Sequence, residues 1–277
     1  MVIVQLTNGF GNNIFQYVAA RQIAEFFGKD LKVIAPTLDY YAIDDLKDLG
    51  FQFIESLPDS VNFVEINDSN YKSAFNKENK NYNFFVRGYF EDYTYYVDNI
   101  KNIKSWFPEP EIRPTNDLVL HFRAGDRLFY KNEFKYKPTA ESYVSAIEKF
   151  DFDGFHISTD MPEWKIITAE ELQSYNFHIN VPEGDKIPIQ DSVNYFNSIV
   201  SALKKFNPIV IKKSVGQDFS YIRGFGSILF EHGTMSWWAS ALSDARKVGV
   251  YGPWRPWKKA SNKNLSKIPL EGWFQWK

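Results

Sequence analysis

Residues 2–36 read VIVQLTNGFGNNIFQYVAARQIAEFFGKDLKVIAP, and this stretch decides the fold. The apolar segment Val2–Leu6 predicts a β-strand, and a polar, glycine-containing loop follows at Asn8–Asn13. From Ile14 to Phe27 apolar residues recur at helical spacing, with a glycine where the helix should end. A second strand is predicted at Leu31–Ala35. A strand–helix–strand opening of this kind favours a parallel, doubly wound α/β sheet.

The same alternation continues along the chain. In the first half it predicts a strand at Phe84–Gly88 and a helix at Asp92–Trp106, whereas residues 39–83 are polar and aromatic and give no clear topology. For the second half, the predicted strands are Leu118–Phe122, Gly154–Ser158, Ile209–Lys212, Ser227–Phe230 and Lys247–Tyr251, and the predicted helices are Thr139–Lys149, Ser192–Lys204 and Ser236–Arg246. The whole chain is therefore expected to be α/β.

A proline-rich stretch, Pro108–Pro114, predicts a domain boundary, because closely spaced prolines neither continue a helix nor occupy a central strand. We expect an N-terminal domain at 1–108, a linker at 109–116, a second domain at 117–262, and a tryptophan-rich tail at 263–277 that packs back against the body.

Composition limits the function classes. The chain has 277 residues, 44% hydrophobic and 24% charged, with a net charge of −2, so it lacks the basic character of a nucleic-acid-binding protein. It has no cysteine, which excludes disulfides and cysteine chemistry. The 4 histidines are too scattered to predict a metal site: His121, His156, His178 and His232. No basic leader or membrane-length apolar run is seen, so we expect a cytoplasmic protein without a transmembrane segment.

The segment His121-Phe122-Arg123-Ala124-Gly125-Asp126-Arg127 follows the apolar run Leu118–Leu120. A strand thus delivers a histidine, an arginine and an aspartate into a glycine turn. A fixed guanidinium there suits a phosphate or carboxylate ligand. The alternative is a structural arginine–aspartate pair that closes the turn.

Two further loops also follow predicted strands. Asn8–Asn13 leads into a helix, whose first N–H groups form an anion site. Its glycine spacing lacks the third glycine of the dinucleotide fingerprint, and no acidic residue closes the second strand, so a dehydrogenase is the weakest interpretation. Glu231–Trp238 is the other loop. Thr234 or Ser236 either caps the following helix or points its hydroxyl at a phosphate.

Three acidic residues in two segments complete the candidate site. Asp160, after Ser158 at a strand end, can accept hydrogen bonds from a purine edge or a ribose hydroxyl. Glu91 and Asp92, after Gly88-Tyr89-Phe90, can take a proton from a hydroxyl group or be simple solvated acids.

Together these segments resemble glycosyltransferase family 11, the α-1,2-fucosyltransferases. Four of its motifs occur in family order. Its glycine-rich opening corresponds to Asn8–Tyr17, its His-x-Arg-Arg-Gly-Asp motif to His121–Asp126, its Phe-Ser-Asp-Asp segment to Ile157–Asp160, and its Ser-Ser-Phe-Ser-Trp-Trp block to Gly233–Trp238. Gly88-Tyr89-Phe90 is similar to a further family element, Gly-Tyr-Trp-Gln-Ser.

The resemblance implies a GT-B-like architecture, with two facing Rossmann-like domains and a donor-binding cleft between them. It implies inverting, metal-independent transfer of a sugar, most typically L-fucose from GDP-fucose, to a hydroxyl of an oligosaccharide or glycan acceptor, with no cofactor. Arg123 would hold the diphosphate and stabilise the leaving group, and the base is open among Glu91, Asp92 and Asp126. The implied donor-binding residues are Gly9, Gly11, Asn12, His121, Arg123, Ser158, Asp160, Thr234, Met235 and Ser236.

This chain also departs from the family pattern. The second arginine of the family motif is Ala124, the residues before the tryptophan block are His232 and Gly233, and the Gln-Ser pair is Glu91-Asp92. These changes suit either a transferase with a different sugar or acceptor, or a non-catalytic protein that binds nucleotide sugars or carbohydrates on the same fold.

Overall fold

The computed structural model describes residues 1–7, 9–37, 40–58, 61–114, 116–131, 137–175, 177, 182–252 and 272–277. It confirms the predicted α/β class: the strands form two parallel sheets, with helices packed against them. The interpretation of loop residue Asn8 and of His178 lies outside the described residues, as does most of the predicted tail.

The first sheet has the strand order β2-β1-β4-β3 and is parallel throughout. Its strands are β1 (Val2–Gln5), β2 (Leu31–Ile34), β3 (Phe63–Ile66) and β4 (Asn83–Val86). The third of these falls in the segment whose topology the sequence left open. From the central β1 the chain moves to one side for β2, and it returns on the other side for β4, so the strand order reverses between β1 and β4.

The helices of the first half are α1 (Phe10–Phe27), α2 (Ile43–Asp48) and α3 (Ile100–Lys104), with 3₁₀ turns at Tyr71–Phe75, Lys77–Asn81, Tyr93–Tyr95 and Val97–Asn99. The predicted loop at Asn8–Asn13 was wrong in extent, because α1 already begins at Phe10. The buried Asn13 donates to Thr7 O and accepts from Tyr40, and these tertiary bonds override the low helix propensity of asparagine.

A continuous helix over Asp92–Trp106 was also wrong. Asp92 accepts hydrogen bonds from the backbone N–H and the hydroxyl of Thr94, which starts a tight turn. The hydroxyl of the buried Tyr96 donates to Phe90 O at 2.6 Å, which ties the segment back to the end of β4. Regular helix resumes only in α3.

The second sheet has the order β10-β9-β8-β5-β6-β7, also parallel. Its strands are β5 (Leu118–Phe122), β6 (Phe155–Thr159), β7 (Ile209–Ile211), β8 (Ser227–Phe230), β9 (Lys247–Tyr251) and β10 (Trp273–Trp276). The chain proceeds from β5 outward through β6 and β7, and then crosses back to β8 on the other side of β5. The strand order therefore reverses between β5 and β8.

The helices of the second half are α4 (Ala140–Ile147), α5 (Ala169–Ser174), α6 (Ile189–Leu203), α7 (Val215–Arg223) and α8 (Thr234–Ala241). Sequence periodicity found α4, α6 and α8 but missed α5 and α7. Both missed helices are short and begin with a capping box, Thr168 with Glu171 and Ser214 with Gln217, which is a signal that the sequence does carry.

One hydrophobic cluster joins the first sheet to one face of the second. It runs from Val2 and Val4 through Phe15 on α1 to Trp237 and Trp238 on α8, and a second cluster lies on the other face of the second sheet. The proline-rich segment contains no helix or strand, and it contacts the end of α7, where Arg223 donates to Pro108 O at 2.9 Å. Within the described residues, no helix combines the length and apolarity needed to cross a membrane.

Candidate functional site

The carboxyl ends of β8, β5 and β6 are neighbours in the second sheet, and they deliver three of the predicted segments to one edge. Glu231 follows β8, Arg123 follows β5 and Asp160 follows β6. Ligands in open parallel sheets bind at the carboxyl edge where the strand order reverses. The strand order reverses between β5 and β8, the strands that carry Arg123 and Glu231 at their ends, so the topology predicts that a ligand binds at this edge.

His121 and Ser236 form a buried pair across that reversal. Ser236 Oγ lies 2.6 Å from His121 Nδ1, and both side chains are buried. The expectation that Thr234 or Ser236 caps the following helix was wrong: Gly233 is the N-cap and no side chain caps α8. The Ser236 hydroxyl is oriented by the histidine instead.

His121 is neutral at physiological pH. Burial, together with the positive charges of Arg123 and Arg127, lowers the pKa of His121 to about 3. A neutral imidazole carries one hydrogen, so it can donate one hydrogen bond and accept another. It can therefore hold Ser236 with Nδ1 and contact a ligand with its other nitrogen.

Arg123 is only half-buried. Its guanidinium lies 3.4 Å from Asp126 Oδ1, and both side chains are 43% exposed. An exposed pair at this distance contributes little to stability. The guanidinium is thus held near one carboxylate while much of its surface can still receive an anion.

Asp160 shapes the turn that carries Arg123. Its Oδ1 accepts a hydrogen bond from Ala124 N at 2.7 Å. A Cβ at Gly125, where φ is +35°, would lie only 2.7 Å from Asp160 Oδ2, so a glycine allows the carboxyl group to approach the backbone. Burial raises the pKa of Asp160. Asp160 therefore positions the arginine turn as well as facing the site.

Asp218 on α7 is a site residue that the sequence reasoning missed. Its Oδ1 and the Ser158 hydroxyl are both fully buried, and neither makes a well-formed hydrogen bond with a described residue. Burial, reinforced by the charge of Asp160, raises the pKa of Asp218 to about 7, although Ser158 partly offsets this effect. The available signal was an acidic residue on the apolar face of a helix that also buries Phe219 and Ile222.

The surroundings of Ala124 bear on its departure from the family motif, in which this position is an arginine. The Ala124 side chain is buried in the apolar cluster, where a charged side chain would be costly. Three residues further on, Arg127 is buried as well, and its positive charge acts on His121, His232 and Glu231. The site thus keeps a second cation close to Arg123, at a position other than the one the resemblance implies.

Glu231 and His232 lead into the α8 segment. Glu231 is buried, accepts a hydrogen bond from the Tyr143 hydroxyl, and has a pKa raised by burial. Burial and the charge of Arg127 lower the pKa of His232 to about 4. Burial thus acts against the charged form of each of these residues.

The glycine-rich segment at the start of α1 meets the start of α8. A Cβ at Gly11 would collide with Met235 N and Thr234 Oγ1, so the two helices pack at a distance that a glycine alone permits. Gly9 N donates to the Tyr40 hydroxyl at 3.1 Å, and Asn12 is half-buried beside it. The structure therefore brings together the first and third predicted loops.

Glu91 and Asp92 have different environments. Asp92 is buried and caps the turn that follows, which is a structural role. Glu91 is half-buried, and no described residue donates a hydrogen bond to its carboxyl group. Burial, followed by the nearby charge of Asp68, raises the pKa of Glu91 to about 7.

The loop that carries Glu91 is joined to the rest of the site by hydrogen bonds to α1. The Gln16 amide donates to Gly88 O at 2.7 Å and its carbonyl accepts from Asn13, one turn after Gly11. The contacts thus run from the end of β4 through α1 and α8 to His121. Among the described residues, no group of three or more acidic or histidine side chains is arranged to hold a metal ion.

No protein-family model matches this chain, and no curated protein matches it either.

Proposed function

We propose that this protein is an inverting glycosyltransferase that moves a sugar from a nucleoside diphosphate to a hydroxyl of a saccharide acceptor, with GDP-fucose as the first donor to test. The observation that carries the proposal is the clustering of Arg123, His121 and Ser236 at the strand-order reversal of the second sheet. Under this proposal the two sheets are the cores of two Rossmann-like domains that share the donor site. The resemblance to family 11 supports the choice of reaction.

Different residues would bind different parts of the donor. Arg123, with Arg127 behind it, would stabilise the diphosphate as it departs, which is the electrostatic task of such sites. The start of α8 offers backbone N–H groups to a phosphate. Ser158 and Asp218 interact with each other but make no geometrically well-formed hydrogen bond with a described residue, so their buried oxygens would be available to the N–H groups of a base.

The acceptor hydroxyl attacks the anomeric carbon from the face opposite the diphosphate. Its O–H bond breaks as the new C–O bond forms, and the bond from the anomeric carbon to the diphosphate breaks. Among the three carboxylates that the sequence leaves open, Glu91 is best suited to take the proton, since Asp92 caps a turn and Asp126 pairs with Arg123. A pKa of about 7 also suits a general base.

The decisive experiment is a thermal-shift panel of GDP-, UDP- and dTDP-sugars, followed by an assay of nucleotide release with oligosaccharide acceptors in EDTA. A ligand that binds only the folded state raises its melting temperature. We expect a GDP-sugar to stabilise the protein and to be consumed. Binding without release would instead indicate a non-catalytic carbohydrate- or nucleotide-binding protein, and stabilisation by NADH alone would indicate a dehydrogenase.

A further inference from the structure

The loop that carries Glu91 is fixed by a carboxylate from the neighbouring strand. Asp68 lies just after β3, and it accepts hydrogen bonds from Tyr89 N at 2.9 Å and Phe90 N at 2.7 Å. A Cβ at Gly88 would collide with Asp68 Oδ2. The carboxylate therefore occupies a space that a glycine leaves open, and it binds two consecutive backbone N–H groups of this loop.

The loop holds an unfavourable backbone conformation. Phe90 has a φ of +52°, in the left-handed region that residues other than glycine rarely adopt, so its backbone is strained. Its ring is fully buried beside Tyr71, with ring centroids 5.3 Å apart, and its carbonyl accepts from the Tyr96 hydroxyl. These contacts, with the two bonds to Asp68, keep the strained residue in place.

The backbone conformation of Phe90 sets the direction in which the chain continues to Glu91. The chain turns at the buried Phe90, and the next residue, the half-buried Glu91, presents a carboxyl group that no described residue binds. Asp68 is the charged side chain that acts on this carboxyl group within the described part of the chain. A solvated surface acid needs none of this support, and strained backbone with redundant anchors is concentrated at functional sites.

We propose that Asp68 is a positioning residue for Glu91: it fixes the loop that presents the base to the acceptor hydroxyl. This inference rests on the proposed transferase function, in which Glu91 takes the acceptor proton. Asp68 itself contacts neither substrate.

The first test is Asp68→Asn, which keeps the side-chain size but removes the charge and one of the two acceptor oxygens. We expect kcat to fall about tenfold or more, since positioned general bases contribute roughly 10²–10⁴-fold, while KM for the nucleotide sugar stays the same. The acidic limb of the kcat profile should move to lower pH, because the like charge beside Glu91 is gone. Asp98→Asn, an exposed aspartate further along the same segment, is the matched control and should change neither.

The second test does not depend on activity. In protein labelled with ¹³C at the glutamate carboxyl carbons, the Glu91 resonance can be assigned by its loss in Glu91→Gln and titrated by NMR. Its midpoint should fall on Asp68→Asn and return toward the wild-type value with Asp68→Glu, which restores the charge. A melting temperature for each variant identifies any that does not fold.

An unchanged Glu91 midpoint in a folded Asp68→Asn protein would overturn the inference, as would a fall in kcat accompanied by the wild-type pH profile. Failure of the proposed function looks different: wild-type protein would release no nucleotide from any donor, whether or not the Glu91 midpoint responds to Asp68.

Discussion

Two histidines lie on neighbouring strands of the second sheet, and their surroundings differ. His156 is on the side where the parallel strands begin, called here the His156 edge, and His121 is on the side where they end, the His121 edge. His156, near the start of β6, is bonded at both ring nitrogens: Nε2 lies 3.2 Å from Asp117 Oδ2, and Nδ1 lies 2.8 Å from the Tyr221 hydroxyl. His121, near the end of β5, is bonded to Ser236 at Nδ1, and the described residues give its Nε2 no hydrogen bond.

The surrounding groups extend the contrast. At the His156 edge, the ring of Phe225 packs against the imidazole with centroids 4.9 Å apart, and both ring nitrogens of His156 are hydrogen-bonded within the protein. At the His121 edge, Arg123 is half-exposed, and buried oxygens of Ser158 and Asp218 are left without well-formed bonds. A polar cluster that satisfies its own groups stabilises a fold, whereas one with unused groups is arranged for a ligand.

The largest effect is expected for Arg123→Ala. If the His121 edge is catalytic, kcat should fall by roughly 10²–10³-fold, as when one preorganised group that stabilises developing charge is removed. The melting temperature should stay close to the wild-type value, because the exposed pair with Asp126 contributes little. The control is Arg113→Ala at the other edge, whose guanidinium stacks on Tyr221 at 4.8 Å. An active Arg123→Ala enzyme would remove the distinction between the edges.

Asp218→Asn should weaken nucleotide-sugar binding. A hydrogen bond to a charged group contributes about 1.5–3 kcal/mol, so we expect Kd from titration calorimetry to rise about 10- to 100-fold. Asp117→Asn makes the same chemical change at the His156 edge, and it should lower the free energy of unfolding but leave Kd unchanged. Equal effects of the two variants on Kd would contradict our assignment of the edges.

Asp218 should also make stability depend on pH. Its folded-state pKa of about 7 lies above the ordinary value of 3.8, so the folded protein binds the proton more tightly than the unfolded chain. Its contribution to the free energy of unfolding is therefore complete below about pH 4 and lost as the pH rises to 7. The slope is at most about 1.4 kcal/mol per pH unit.

Urea denaturation of the wild type and Asp218→Asn at several pH values measures this dependence. The two curves should lie closest near pH 4, where the protonated Asp218 resembles asparagine, and should separate as the pH approaches 7, because only the wild type loses stability there. Parallel curves would show that Asp218 is not buried as described. Glu231, whose pKa is also raised, contributes to both proteins and cancels in the difference, whereas the part of the Asp160 titration that depends on the charge of Asp218 is included in it.

The smallest effect is expected for Tyr221→Phe, which removes the hydroxyl beside His156 and nothing else. The free energy of unfolding should fall by about 1 kcal/mol, the usual contribution of one hydrogen bond. Nucleotide release should not change. A loss of activity without a loss of stability would show that the His156 edge also takes part in the reaction.

The sequence predicts well what local pattern determines. Apolar runs gave β5, β8 and β9 with their observed bounds, because buried parallel strands are short and continuously apolar. It predicts poorly what distant contacts determine. Asn13 lies in a helix because of its bonds to Thr7 and Tyr40. Ser236 does not cap α8, because its hydroxyl is hydrogen-bonded to His121, which is 115 residues away in the sequence.

The candidate site shows the same division. Arg123, His121 and Asp160 could be proposed from strand ends alone, since carboxyl ends of neighbouring parallel strands meet at one edge. Asp218 was missed because its helix was missed, although it lies on the apolar face beside Phe219 and Ile222. Asp68 could not be proposed, because an isolated aspartate carries no sign that it will bind two backbone N–H groups. Their roles depend on which elements the fold places against them.

The contact between Gly11 and the start of α8 bears on how the protein can change over evolution. Since α1 and α8 touch without space for a single methyl group, and the core around Phe15 and Trp238 belongs to both sheets, neither half can be exchanged as an independent module. Chemical denaturation should accordingly show one transition rather than two. Variation in specificity is then easiest in the loops at the carboxyl edges, where substitutions do not disturb the shared core.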